Sequence, residues 1–214
     1  HKAIRRQRQM CIRDRIEPTQ NKSNNCAKIP RSKNILFWRS LVAILPIVQF
    51  PNPVLAMNCQ PVQEINDQIR RLAADMGETM YKAPGVGLAA PQVGEPIRMV
   101  VLDVSEEKNN LMTLINPVIT QRSQEQEIGE EGCLSLPGIW EKVSRSTEIT
   151  LKYTDLEGKE QELHADGLLA ICIQHELDHL DGTVFIDHLS RLKYDRACAK
   201  LKKRRQQEKK ENAH

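Results

Sequence analysis

The sequence of 214 residues lacks a membrane-spanning segment and lacks the cysteine spacing of a disulfide-rich secreted domain. Its apolar stretch near the N-terminus, residues 35–48, is too short to span a bilayer and contains Arg39 and Pro46. The six cysteines are scattered along the chain. These absences exclude a single membrane helix and argue against a secreted scaffold. Because thiols stay reduced most readily inside the cell, we expect a cytoplasmic protein with no membrane partner.

A complete nucleotide-binding fingerprint is also absent. Residues 85–94 read Gly-Val-Gly-Leu-Ala-Ala-Pro-Gln-Val-Gly, in which glycines alternate without completing the Gly-x-Gly-x-x-Gly pattern. The segment follows a predicted helix instead of a strand, and Pro91 would disrupt the start of a phosphate-binding helix. Gly85 and Gly87, which flank Val86, instead favour close approach and strand-like pairing of a bound peptide backbone.

Positive charge is concentrated at the two ends of the chain. Residues 1–40 contain 11 Lys+Arg and 2 Asp+Glu, and residues 191–214 contain 10 and 3. Residues 41–190 have 10 basic and 23 acidic residues, although the formal net charge of the whole chain is +3. We therefore predict three regions, which are a basic extension over residues 1–40, a catalytic domain over 41–190 and a basic C-terminal helix or tail over 191–214.

The N-terminal extension begins with His and has no periodicity typical of a core element. Three interpretations remain open: an artefactual or disordered extension, a basic targeting peptide, and a secretory signal that would use residues 35–48 as its apolar region. Arg39 and Pro46 weaken the third interpretation, so we favour the first and keep the second as the alternative. A targeting peptide would change the expected location to an organelle stroma or matrix.

The most informative segment is His175-Glu-Leu-Asp-His179, which follows an apolar run over residues 167–174. That run, with Asp166 as a helix N-cap and Gly182 as a stop signal, predicts a helix. Positions four apart share one helix face, so the two imidazole rings can bind one divalent metal ion. Glu176 would then lie close enough to exchange protons with a water activated by the metal. Two histidines at this spacing can also be ordinary core residues.

A catalytic metal site needs a third protein ligand. The long endopeptidase form of the motif would place a histidine where this chain has Phe185, and we predict that His164 and His188 lie on the surface. Cys172 falls in the apolar run and is typical of a core or pocket-lining residue. Cys133 lies in a loop between glycines and a proline, beside a strand, and we predict that it is the third ligand.

Three segments, in this order, resemble the signature motifs of the peptide deformylases. They are Gly85–Gly94, Glu131-Gly-Cys-Leu-Ser135 and Gln174-His-Glu-Leu-Asp-His-Leu-Asp-Gly182. The resemblance covers about residues 43 to 190 and includes Ile44–Pro53, which is similar to the usual opening of that family.

The resemblance implies a hydrolase of protein biosynthesis that removes the formyl group from the N-terminal formylmethionine of new polypeptides. It implies one divalent metal held by Cys133, His175 and His179, with Fe(II) favoured and Zn, Ni or Co as alternatives. A metal-bound water would attack the formyl carbon, with Glu176 as general base and then acid.

The resemblance also assigns the remaining roles in the site. The side-chain amide of Gln92 and the backbone N–H of Leu134 would stabilise the oxyanion. The residues implied in substrate binding, several of them around an apolar pocket for methionine, are Gly85, Val86, Gly87, Glu131, Leu168, Ile171 and Cys172.

The expected partners are formylmethionyl nascent peptides and, through the basic residues 200–210, the ribosome, as for the C-terminal helix of bacterial deformylases. We expect a monomer. Two other functions remain open. One is a metal endopeptidase with the same metal–water chemistry, and the other is a ribosome-binding module whose metal is closed off by four protein ligands.

Hydrophobic periodicity predicts an amphipathic helix from Val62 to Tyr81, ending before Pro84. Its apolar face would be formed by Ile65, Ile69, Leu72, Met76 and Met80. Strands are predicted at residues 97–104, 111–120, 147–153 and 161–164, with a turn at 155–158 before the last and a final helix after Ser190. This order predicts an α+β fold of mostly antiparallel strands around a central metal-binding helix, with an N-terminal and a C-terminal helix.

Overall fold

A computed structural model describes residues 42–211 of the protein, so the predicted extension over residues 1–40 lies outside the described residues. The α+β prediction is confirmed, since this part of the chain contains three α-helices and seven strands. The helices are α1 (Asp67–Lys82), α2 (Gly167–Leu180) and α3 (Arg191–Glu211). The strands are β1 (Gly87–Ala89), β2 (Met99–Leu102), β3 (Met112–Arg122), β4 (Gln126–Gly132), β5 (Trp140–Ser146), β6 (Glu148–Thr154) and β7 (Glu160–Asp166).

Five strands form one antiparallel sheet in the order β1-β2-β3-β6-β7, and β4 and β5 form a separate hairpin. Within the sheet, Val100 lies opposite Leu114. The predicted turn closes β6 onto β7, because the Asp155 N–H donates to the Lys159 carbonyl and the Gly158 N–H to that of Asp155.

The sheet lies between α1 and α2, and β2 contributes to the packing on both sides. Val100 and Leu102 join a buried cluster with α2, whereas Met99 and Val101 join a cluster with α1. Side chains alternate between the two faces of a strand, so a strand covered on both faces is apolar at every position. Helix α2, which carries the two histidines, therefore packs against a strand that is buried on both faces.

Element boundaries differ from the predictions at several points. Helix α1 begins at Asp67 and not near Val62, because the Asn66 side chain accepts from the Gln68 and Ile69 N–H groups and caps the helix there. Asp166 occupies the N-cap position of α2, but its side chain makes no capping hydrogen bond.

Other predicted element boundaries lie close to the observed ones. Strand β2 is shorter than the predicted 97–104 stretch, and Gly182 has the positive φ of 72° expected just after a helix. Helix α3 begins directly after Ser190, as predicted.

The sequence analysis placed only one strand beside the Cys133 loop and missed β5. The inward positions of this hairpin include Gly129, Glu131 and Arg145, so the usual apolar–polar alternation is missing. A third buried cluster, which includes Val143, Phe185 and Leu201, joins the hairpin to the first turns of α3.

None of the helices in residues 42–211 combines the length and the apolar composition needed to cross a bilayer.

Candidate metal centre

Helix α2 places both histidines of the motif on one buried face, as the four-residue spacing predicts. The ring centroids of His175 and His179 are 5.2 Å apart and the rings meet edge to face. His175 also stacks on Phe185, with centroids 5.9 Å apart. Both histidines are more than nine-tenths buried, so their orientation is set by packing.

The end of β4 brings Cys133 to the same point. The Cys133 Sγ lies 3.2 Å from His179 Nε2, and the ligand atoms of Cys133, His175 and His179 all lie within 4.8 Å of one another. A tetrahedral ion with one sulfur and two nitrogen ligands would place such atoms about 3.6 Å apart. One thiol and two imidazoles, all buried, therefore form a donor set that fits a divalent transition metal ion.

A chain of polar contacts, buried at Glu131 and Arg145, orients His175. Its Nδ1 lies 2.8 Å from Glu131 Oε2, and the Arg145 guanidinium donates to both oxygens of that carboxylate, at 2.7 and 3.1 Å. Arg145 also donates to Asp178 at 2.6 Å, and His188 lies 2.7 Å from the same Asp178 oxygen. With Nδ1 held by Glu131, the His175 Nε2 is left to face Cys133 and the metal position.

Electrostatics at the centre follow from burial and from these contacts. Burial by itself raises the pKa of Glu131, but the hydrogen bonds from His175 and Arg145 outweigh it and lower that pKa to about 2. Burial alone would lower the pKa of His175, yet the contacts with Cys133 and Glu131 raise it well above its ordinary value. Burial lowers the pKa of His179 well below its ordinary value, and the charge of the nearby His175 lowers it further.

Glu176 projects from α2 beside the ligands. Burial raises its pKa to about 7, although the nearby His175 acts in the opposite direction. Its Oε2 is buried and has no hydrogen-bond partner among the described residues. A Cβ at Gly87 would collide with Glu176 Oε1 and would lie 2.9 Å from Cys172 Sγ. Gly87 is therefore required by the close approach of the Glu176 carboxyl, a reason that the sequence did not reveal.

Both ends of the Gln92 side-chain amide make hydrogen bonds. Its Oε1 accepts from the Ala89 N–H at 2.8 Å, which ties down the glycine-containing segment. Its Nε2 donates to Ser135 Oγ at 3.2 Å and to Cys133 Sγ at 3.4 Å, so the N–H donors of the amide face the centre.

A cavity opens onto these groups. Its lining consists of Val86, Gly87, Gln92, Glu131, Gly132, Cys133, Leu134, Ile171, Cys172, His175 and Glu176. Most of the residues predicted for the site thus share one cavity. Three predicted residues are not part of this lining. Gly85 packs between Leu134 and Met80, Leu168 is half-buried in the first turn of α2, and His179 is buried behind Cys133. Glu131 also borders the cavity, but its Oε1 accepts a hydrogen bond from Arg145 and its Oε2 is hydrogen-bonded to His175 Nδ1.

Sequence reasoning missed Arg145 and Asp178. Asp178 lies three residues after His175 and so near the same helix side, a signal that could have been used. Arg145 lies on β5, and no pattern in the sequence links it to Glu131. The exposed positions of His164 and His188 agree with the prediction.

Comparisons with known proteins agree on one family. The polypeptide deformylase family model matches residues 44–195. A peptide deformylase from Acinetobacter baumannii is 51% identical over 162 residues, which are 76% of this chain and 92% of the relative. One from Nitrosococcus oceani is 53% identical over 163 residues, which are 76% of this chain and 97% of the relative.

Solved structures give the same result. The peptide deformylase of Legionella pneumophila aligns with a TM-score of 0.74 and 40% identity, covering 78% of this chain and 98% of its own. The Ehrlichia chaffeensis peptide deformylase in complex with actinonin aligns with a TM-score of 0.73 and 41% identity, covering 76% of this chain and 98% of its own.

Proposed function

Because this chain belongs to the peptide deformylase family, we propose that it removes the formyl group from the N-terminal formylmethionine of newly synthesised polypeptides. The observation that carries the proposal is the convergence of Cys133, His175 and His179 beside the buried carboxyl of Glu176. Such a site suits the reaction. A formamide is a poor electrophile and water is a poor nucleophile at neutral pH, and a metal site beside a carboxyl can activate both.

We propose that Cys133, His175 and His179 hold one divalent ion, with Fe(II) as the first choice and Zn, Ni or Co as alternatives. When bound, the ion makes a water nucleophilic near neutral pH and polarises the formyl carbonyl. Glu131 keeps His175 in the orientation that leaves Nε2 free for ligation. Anaerobic purification with metal analysis, followed by assays of each reconstituted form, identifies the ion that supports turnover.

Glu176 is proposed to carry the proton transfers. A carboxyl whose pKa is near 7 can both take and give a proton at neutral pH, whereas one at its ordinary pKa is a weaker base. It takes a proton from the attacking water and then passes one to the leaving amine. The unpartnered Oε2 supports this role, since it is an acceptor oriented at no other group among residues 42–211.

Gln92 and Leu134 are proposed to stabilise the oxyanion. The Gln92 amide is held by Ala89, so its donors are oriented before the substrate arrives. Leu134 follows Cys133 directly and lines the cavity, so ligation of the thiolate would fix the Leu134 N–H beside the reacting carbon. Loss of one such donor commonly costs about 3 kcal/mol of barrier.

The substrate backbone is proposed to pair with the extended segment Gly85–Gly87, with the first side chain between Val86, Ile171 and Cys172. Leu168 lies outside this lining, so we propose for it a supporting contact at the pocket edge. The test of the function is hydrolysis of formyl-Met-Ala-Ser against cleavage of casein by the metal-loaded protein. Release of formate without casein cleavage is expected, whereas casein cleavage alone would identify an endopeptidase.

We propose that α3 also binds the ribosome. Residues Lys202, Lys203, Lys209 and Lys210 are exposed on this helix, while Leu201 anchors it to the core. Their replacement by Glu should remove co-sedimentation with ribosomes at low salt and leave formate release unchanged. Replacement of the exposed Lys152 on β6 by Glu is the matched control. Unchanged co-sedimentation of the four-residue variant would contradict ribosome binding through α3.

We further propose a catalytic domain over residues 41–190, a monomeric state and a cytoplasmic location, with an organelle stroma or matrix as the alternative if residues 1–40 are a targeting peptide. Cys59, Cys133 and Cys198 form no disulfide, which supports a reducing compartment. Light scattering tests the monomeric state, and cell fractionation tests the location.

A further inference from the structure

Ser135 places a buried hydroxyl directly behind the Gln92 side chain. Its Oγ accepts from Gln92 Nε2 at 3.2 Å, and Gln92 is the only hydrogen-bond partner of this hydroxyl within residues 42–211. Both residues are almost completely buried, and Ser135 does not line the cavity. A buried hydroxyl costs free energy unless it is hydrogen-bonded, so the contact with Gln92 gives a reason for serine where the smaller, apolar alanine would also fit.

The neighbours of the Gln92 amide determine which way the amide faces. The Ala89 N–H can only donate, so the atom 2.8 Å from it is the amide oxygen and Nε2 lies on the other side. Nε2 carries two hydrogens, which diverge by about 120° in the amide plane. Its two acceptors are Ser135 Oγ and, at 3.4 Å, the Sγ of Cys133 in the cavity wall. With one hydrogen held by Ser135, the other is directed towards the cavity.

Two backbone hydrogen bonds fix Ser135 and Gln92 relative to each other. The Val48 N–H donates to the Gln92 carbonyl at 2.7 Å, and the Phe50 N–H donates to the Ser135 carbonyl at 2.9 Å. Residues 48–50 therefore bridge two segments that lie 43 positions apart in the chain. The serine hydroxyl thus meets the amide in an arrangement that is formed before any substrate arrives.

We propose that Ser135 is a positioning residue for oxyanion stabilisation. By holding one Nε2 hydrogen of Gln92, it leaves the other for the oxygen of the formyl group, beside the Leu134 N–H. The inference rests on the proposed deformylase function and deepens it, since it names a residue that acts through Gln92 without touching the substrate. The terminal torsion of a glutamine side chain has a broad energy profile, so an amide without this hydrogen bond can rotate. A displacement of about 1 Å in such a group can cost about 10²-fold in rate.

Removal of the hydroxyl tests the proposal in the metal-loaded full chain. Ser135→Ala should lower kcat for formyl-Met-Ala-Ser by about tenfold or more, with KM within about twofold of wild type, because the oxyanion forms only after the substrate has bound. The matched control is Ser144→Ala on β5. It also removes a serine–glutamine hydrogen bond, from Ser144 Oγ to Gln126 Oε1 at 2.7 Å, but at an exposed site. It should keep the kcat and KM of wild type.

A double-mutant cycle separates positioning from a structural role. In a Gln92→Ala background, Ser135→Ala should change kcat by less than about twofold, because the amide that the hydroxyl positions is already gone. The metal content and thermal midpoint of Ser135→Ala should stay near those of wild type, since no candidate ligand has changed.

Three results would overturn the role of Ser135. They are an equal loss of kcat in both backgrounds, a loss of metal from Ser135→Ala, and an unchanged kcat of Ser135→Ala with Gln92 present. Absence of formate release by the metal-loaded wild type would instead overturn the proposed function.

Discussion

The Glu131 carboxylate lies 2.8 Å from His175 Nδ1, although the two residues are 44 positions apart in the chain. This contact orients the helical His175 for its proposed role as a metal ligand, because an imidazole that donates through Nδ1 presents its Nε2 lone pair to Cys133 and His179. Arg145 holds Glu131 charged in a buried position. Glu131 and Arg145 therefore lie behind the candidate ligands Cys133, His175 and His179 and fix the orientation of His175.

The Glu131 contact predicts how stability changes in acid. Its folded pKa of about 2 lies below the ordinary value of 4.5, so it contributes stability above pH 4.5 that is lost as the pH falls towards 2. The contribution is on the order of 3 kcal/mol. In metal-free protein, the free energy of unfolding of wild type should therefore exceed that of Glu131→Gln most above pH 4.5. Denaturant titrations between pH 7 and 2 measure this, and a difference that does not shrink in acid would contradict it.

Replacement of the proposed general base should separate catalysis from metal binding. Glu176→Gln keeps the size of the side chain and removes its acid–base chemistry, so turnover of formyl-Met-Ala-Ser should fall by about 10²- to 10⁴-fold. Metal content and thermal midpoint should stay near those of wild type. Glu162→Gln, which is exposed on β7, is the control and should keep full activity. Full activity of Glu176→Gln would show that Glu176 is not the general base.

Removal of the thiol should remove the metal. Cys133→Ala leaves two imidazoles, and a catalytic site with two protein ligands holds metal weakly. We expect substoichiometric metal by elemental analysis and no detectable formate release. Cys198→Ala on α3 should bind metal as wild type does. Stoichiometric metal in Cys133→Ala would show that the sulfur is not a ligand.

A single methyl group at Gly87 should impair catalysis. The new Cβ would collide with Glu176 Oε1, and displacement of that carboxyl should lower kcat/KM by at least about tenfold. The matched control is Gly129→Ala, where the same methyl group enters open space and should leave formyl-Met-Ala-Ser turnover nearly unchanged. Equal activity of the two variants would refute a steric requirement for glycine at residue 87.

Local pattern explains which parts of the fold were predictable. The four-residue spacing of His175 and His179 and four of the five strands of the main sheet follow from periodicities of 3.6 and 2, which the sequence displays directly. Strand β1, only three residues long, was not predicted. The start of α1 was wrong by five residues because Asn66 caps the helix within a longer amphipathic pattern. Strand β5 was missed because a buried Arg145 replaces an apolar residue on its inward face.

Composition and local spacing suffice to place the His175 and His179 imidazoles on one helix face with Glu176 beside them. The choice of Cys133 among six thiols was a prediction from its loop context. The orientation of His175 by Glu131 and Arg145, and the room that Gly87 leaves for Glu176, became visible only in the folded chain. Each is a contact between segments distant in sequence, and packing of the hairpin, sheet and α2 sets those distances while local periodicity does not.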